Sequence, residues 1–278
     1  MQAPDYRDRV SIYLWVILAM LAAELFLQLP TRALTWIVFG TPLSVEINSS
    51  TLLAVPLLVL AASGVEAVVR AHPLAQAGEL PYTWILWSLP CALVLTAAQL
   101  LTLIPGRITW LAVLALIGVL LAAISIIIYH TIDERDHYYR LSRVALNFIT
   151  YAVVLLLFLI VYQSRARSVL SGTVTAAIGA LLTIELLRGA ESTARSVTLR
   201  QVLTYGLLCG LVLGEATWAL NYWQLPSLTA GFLMLLMFYL LVGLAQQGIA
   251  GAWRRMVVLE FLAIGAVGCL LIWQFAPR

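Results

Sequence analysis

Nine stretches of about 20 mostly apolar residues, separated by connections that are short except for 31–49, take up most of the chain: 11–30, 50–70, 83–104, 108–130, 141–163, 168–188, 198–222, 227–246 and 256–275. The hydrocarbon core of a bilayer is about 30 Å thick and takes roughly 20 apolar residues of helix to cross. In lipid the backbone must satisfy its own hydrogen bonds, which leaves helices or closed barrels, and runs of this length belong to helices. The expected fold is therefore all-α, a polytopic transmembrane helix bundle of about nine spans forming a single integral membrane domain over 1–278. Composition agrees: 63% of the residues are apolar and 10% charged, where soluble domains run about 45–50% and about 25%. That balance excludes a soluble enzyme, and it also excludes a disordered chain.

The 16 basic residues are all arginine, so Schiff-base lysine chemistry and Walker-type phosphate binding are not expected. A net charge of +3, spread along the chain, makes no basic face for nucleic acid. Cys91, Cys209 and Cys269 all lie inside apolar runs and read as small buried hydrophobes rather than a disulfide or metal framework. No metal or other cofactor is expected, and the obvious partners are membrane lipids.

The first span contains Glu24, lacks a small-residue cleavage site and is too long for a signal-peptide core, so it reads as a retained helix. If the spans alternate from a cytoplasmic amino terminus, eleven arginines fall inside (7, 9, 70, 135, 140, 143, 188, 195, 200, 254, 255) and five outside (32, 107, 165, 167, 278). That bias sets the amino terminus in the cytoplasm and the carboxyl terminus outside. The extracytoplasmic segment 31–49 partly alternates apolar and polar residues around Gly40-Thr41-Pro42. It reads as a short hairpin on the membrane surface or as an irregular re-entrant loop. The charged cytoplasmic loop 131–140, TIDERDHYYR, reads as a solvated connector.

A weak internal repeat is also present. Arg9 with Gln28 and Arg32, Arg143 with Gln163 and Arg167, and Arg255 with Gln274 and Arg278 share one spacing, with Arg-to-Gln separations of 19, 20 and 19. Pro90-Cys91-Ala-Leu-Val-Leu95 echoes Leu208-Cys209-Gly-Leu-Val-Leu213. Spans one to four would then match spans five to eight as a 4+4 parallel repeat, an arrangement found in transporters.

Five glutamates lie within spans, and acidic residues at such depth usually face protein or water. Glu66, Glu185 and Glu260, with Asn147, sit near cytoplasmic helix ends. Arg70 follows Glu66 at i+4 and Arg188 follows Glu185 at i+3, which predicts two structural ion pairs. Glu66-x-x-x-Arg70 matches part of the motif of CAAX-type intramembrane proteases. The preceding residue, however, is Val65, and His72, His130 and His137 all precede the last four spans, so that reading fails.

Glu24, Gln99 and Glu215 lie at similar depth, about two turns below the outer boundary. Glu215, Trp218 and Tyr222 share one helix face; a carboxylate beside aromatic rings can hold an organic cation or an amphiphile headgroup. These five residues are the candidate ligand site. The alternative is an aromatic belt plus a packing carboxylate. Gly206, Gly210 and Gly214 form two overlapping Gly-x-x-x-Gly steps, a face for close approach of another helix, of another subunit or of a second copy. Between these layers the spans are almost wholly apolar, which argues against a channel or a proton wire.

The stretches GVEAVVRAHP (64–73), RSVLSGTVTAAIGALLTIELLR (167–188) and GEATWALNYWQLPSLTAGFLMLLMFYLLVGLAQQ (214–247) resemble a family of bacterial multi-pass membrane proteins classed as a domain of unknown function. The resemblance implies a bacterial cytoplasmic (inner) membrane and brings no activity, cofactor or catalytic residue. Three functional readings remain. The first is a carrier or binding protein for an amphiphile or organic cation, the second a structural or assembly subunit of a larger membrane complex. The third is an intramembrane enzyme acting on a lipid or isoprenoid, for which no catalytic constellation is legible.

Overall fold

The computed structural model describes residues 6–24, 32–38, 41–47, 49–80, 82–164, 168–188, 198–223, 225–251 and 255–275. Each of the nine apolar runs yields a helix. Seven of the described helices are long and apolar enough to cross a membrane, and the protein is a multi-pass membrane protein. It divides into two compact units, Met1–Leu146 and Asn147–Arg278.

The first unit opens with α1 (Tyr6–Ala23), which begins five residues before the apolar run at 11. The polar turn is helical because it has work to do at the helix end: Arg9 Nη1 donates to the Ala67 carbonyl at 2.8 Å. Next come β1 (Arg32–Val38) and β2 (Thr41–Ile47), an antiparallel pair in register from Arg32↔Ile47 to Val38↔Thr41. Of the two forms open to segment 31–49, the backbone takes the hairpin; its tip, 39–40, lies outside the described residues.

Helix α2 (Ser49–Val69) carries Pro56, whose missing N–H a membrane helix tolerates when neighbours cover the gap. After the single turn α3 (Pro73–Gln76), the third apolar run departs from one continuous helix. A 3-10 turn, Thr83–Trp87, precedes α4 (Ser88–Leu103). Tyr82, at φ 62°, marks the sharp entry. Helix α5 (Arg107–His130) closes the unit. The Tyr13 ring covers Gly64, where a Cβ would come within 2.5 Å of it. Its hydroxyl is bonded to Ser125 Oγ and donates to the Leu121 carbonyl at 3.3 Å. One tyrosine thus ties α1, α2 and α5 together.

The boundary between the units falls within α6 (Tyr139–Gln163). The second unit continues with α7 (Ser168–Arg188), α8 (Leu199–Tyr222), α9 (Ser227–Ile249) and α10 (Arg255–Phe275). Helix α8 starts at a capping box in which Thr198 and Gln201 satisfy each other's backbone N–H groups. Its glycine face is packed against α7 of the same chain. A Cβ at Gly214 would lie 2.8 Å from the Gly172 carbonyl oxygen, and one at Gly210 would strike the Ala176 carbonyl oxygen. Of the occupants open to the close-approach face, a helix of the same chain is the one seen against it, α7, in backbone-to-backbone contact. Asn221 Nδ2 adds a bond to Ser171 Oγ at 2.7 Å across the same pair. Of the outer-end markers of the repeat, Gln28, Arg167 and Arg278 lie outside the described residues.

Candidate functional site

The glycine face fixes the orientation of α8, and with it the expected ligand site. Taking 3.6 residues per turn, Glu215, Trp218 and Tyr222 centre about a third of a turn away from the face that meets α7. All three are exposed, Trp218 at 50% and Tyr222 at 78%. They share a face, as the spacing predicts, but that face looks outward from the unit and lines no cavity found among the described residues. Among the described residues, Glu215 makes no hydrogen bond or ion pair. Glu24 and Gln99 are half-buried and belong to the first unit.

Near the other helix ends, Glu66 is the hub of a small polar cluster. It accepts from Arg70 Nε at 2.7 Å, Trp87 Nε1 at 2.9 Å and Thr83 Oγ1 at 3.2 Å. The 3-10 turn that interrupts the third run brings both Thr83 and Trp87 to this carboxylate. Its i+4 arginine is only one of three donors, so the cluster joins α2 to the start of α4 and is more than a surface ion pair. Glu185 is buried at 3% exposure near the end of α7, with half-buried Arg188 three residues on. Glu260 is exposed and Asn147 half-buried.

A second cluster was not legible in the sequence. All three histidines meet at one end of the first unit. His130 Nδ1 and Asp136 Oδ2 are 2.6 Å apart. The His130 and His137 rings pack edge-on against Tyr138, at 5.7 and 5.2 Å between centroids. Buried His72 packs edge-on against Tyr129 at 4.8 Å, and Tyr129 stacks on Tyr6 at 4.2 Å. His72 Nδ1 accepts from the Leu74 N–H at 3.3 Å and so caps α3. Burial holds the His72 imidazole below its usual pKa, partly offset by Asp133 and Asp136. The hydrogen bond from His130 holds Asp136 below the usual carboxylate range. Among the described residues, no group of three or more His, Cys, Asp and Glu side chains is arranged to hold a metal ion. The rings are brought together by α1, α2 and α5, across separations no local pattern marks.

The second unit holds an open apolar cleft of about 370 Å³ between α6, α9 and α10. Tyr151, Phe232, Leu236, Tyr239, Gly268 and Ile272 line it. Gly268 is where α10 comes close to α9 at the cleft wall, since a Cβ there would come within 2.7 Å of Leu236. The α6–α9 side is braced by Tyr151, packed edge-on against Phe238 at 5.8 Å and tilted against Tyr239 at 5.9 Å. Tyr239 in turn meets Phe261 of α10 at 6.5 Å. A separate void beside Phe158, Thr217 and Met234 measures about 10 Å³, room for one water at most. The larger cleft falls in the range of small-molecule sites, about 300–1,000 Å³.

A nearly all-apolar wall open at the side of a membrane-spanning unit cannot pair a charged headgroup, but it can take up hydrocarbon. Against the known families, residues 29–274 match one described as "Protein of unknown function (DUF5656)". The chain belongs to this family. The match runs from before β1 to near the end of α10, so it includes both units and all the residues of the cleft. No curated protein and no solved structure matches the chain.

Proposed function

We propose that this protein binds an amphiphile from within the bilayer, taking the apolar part of the molecule into the α6–α9–α10 cleft. The observation that carries the reading is the cleft itself, a lateral opening of about 370 Å³ with an apolar wall. In the threading we favour, nine spans run from a cytoplasmic amino terminus, supported by the eleven-to-five arginine bias. Phe232 and Ile272 then lie in the outer half of the bilayer and Tyr151 near its middle. The division at 146/147 falls close to where the fifth span begins, as a pair of repeated halves would require, and carriers are commonly built that way. Relative to a site built on Glu215, this moves the ligand contacts to the cleft and makes the ligand's hydrocarbon, not a cationic headgroup, the part that is recognised.

Native mass spectrometry after mild extraction tests the reading, with Ile272→Trp, which adds bulk to the cleft lining, run beside the wild type. A small bound mass present in the wild type and lost in a folded Ile272→Trp variant is the expected result. Retention of the same mass in that variant would overturn the assignment.

A second reading, a subunit of a larger membrane complex, is favoured by Glu215. An exposed carboxylate about two turns inside a span is costly against lipid and calls for a partner. That reading predicts a stoichiometric protein partner that is lost on Glu215→Leu. Recovery of a partner-free protein from native membranes would count against it.

A further inference from the structure

The outward face of α8 is built differently from a face that meets only lipid. Steps of three and four residues run without a break from Gln201 through Leu208, Leu211, Glu215 and Trp218 to Tyr222, and every residue on them is exposed. That alternation is the seam of a left-handed helix pair, in which side chains of one helix enter holes on the other. It lies on the side of α8 left free once Gly210 and Gly214 meet α7 and Cys209 and Thr217 meet α9. Helix α5 gives the contrast: from 111 to 126 every exposed residue is apolar, as contact with lipid favours.

Glu215 stands on this seam seven residues before the last residue of α8, about 10 Å at a rise of 1.5 Å per residue. A carboxylate at that depth is costly against hydrocarbon and is stabilised by a cation on a neighbouring helix. The described helices of this chain have no such cation to offer. The sequence contains no lysine, and no arginine of a described helix stands more than four residues from a helix end. The deepest, Arg143, is at the cytoplasmic face in the threading we favour, opposite to Glu215. A second copy docked seam to seam about a two-fold axis would set carboxylate against carboxylate.

We infer that this seam is the docking surface for a transmembrane helix of another protein, one that carries an arginine or lysine on its facing side about two turns below its outer end. The proposal rests on the complex-subunit reading above and gives the partner its chemistry. The partner's cation pairs with Glu215. Trp218 and Tyr222, one and two turns farther out on the same seam, supply the bulky apolar surface that fences the pair from water.

The test uses the full-length protein in lipid nanodiscs with photoreactive benzoylphenylalanine in place of Leu211. The probes are synthetic leucine–alanine transmembrane peptides that differ only at one position about two turns from their outer end, which holds arginine, leucine or glutamate. Benzoylphenylalanine in place of Leu116, on the exposed apolar face of α5, gives the background. At position 211 the arginine peptide should crosslink about five- to thirtyfold more than the leucine peptide, the range polar contacts give between model membrane helices. Glu215→Leu should abolish that preference, and Glu215→Arg should move it to the glutamate peptide. Equal crosslinking by the arginine and leucine peptides with Glu215 in place, or a preference that survives Glu215→Leu, would overturn the cationic partner. Crosslinks at 211 no stronger than at 116 with every peptide, or made only to lipid or to a second copy of the chain, would overturn the docking surface itself. The complex-subunit reading fails on a different result, the recovery of a partner-free protein from native membranes.

Discussion

Replacing Gly210 by alanine drives a methyl group into the backbone of α7. The new Cβ would strike the Ala176 carbonyl oxygen and would lie 2.7 Å from Ala180 Cβ and 2.9 Å from Ala180 N. Ordinary carbon contacts are about 3.5–4.0 Å, and two of these three obstacles are main chain that no rotamer change can move. The helices must therefore separate by about 1 Å, which forfeits a quarter to a half of the dispersion energy along the seam. Overpacking of this kind costs about 3 kcal/mol at the upper end of its usual range. Alanine returns about 1 kcal/mol through its better helix propensity. The net loss is about 2 kcal/mol, or roughly thirtyfold in the folded-to-unfolded ratio.

Gly265→Ala is the control, since its Cβ meets only the flexible end of Leu240 at 3.1 Å, and it should change stability by under about 1 kcal/mol. Unfolding by sodium dodecyl sulfate titration in mixed micelles, followed by far-ultraviolet circular dichroism, gives both values. If Gly210→Ala is no more destabilising than Gly265→Ala, the α7–α8 seam is not the backbone contact described here.

Glu66→Ala should cost about 2–3 kcal/mol, because it leaves the Trp87 and Thr83 donors without their acceptor; Glu66→Gln, which keeps one acceptor oxygen, should cost less in the same titration. His72 gives a pH dependence. Burial depresses its folded pKa, so the unfolded chain takes up the proton first, at about 6.5. The contribution of neutral His72 is then present in full above about pH 6.5 and is lost as pH falls through the depressed folded value. Protonation also removes the Nδ1 acceptor that caps α3. Thermal stability measured between about pH 8 and 5 should fall on the acid side, and His72→Asn, which keeps a capping acceptor that does not titrate, should flatten the curve. An unchanged slope in that variant would assign the dependence to other groups.

The spans were legible because a run of about 20 apolar residues has few other outcomes. Their edges were less so: α1 extends through the Arg7–Arg9 turn, and the third run splits into a 3-10 turn and a helix at Trp87–Ser88. The spacing correctly put Glu215, Trp218 and Tyr222 on one face, but not which way that face points. In water an amphipathic stripe marks the buried side of a helix; in lipid both sides are apolar, and the direction was set by which neighbour takes the glycines. The histidine cluster depends on the packing of His72 against Tyr129 and on the charge of Asp136 near it, both more than fifty residues away in the chain. The cleft is harder still to read, since it forms where three helices from separate apolar runs meet, α6, α9 and α10.

The most direct test of amphiphile binding is a high-resolution map of the protein in nanodiscs formed from the lipids of its native membrane. The account predicts elongated density between α9 and α10, against Phe232 and Ile272, ending beside the Tyr151 and Tyr239 rings. A cleft closed by direct contact of Tyr151 with Ile272, with no density between the helices, would contradict it.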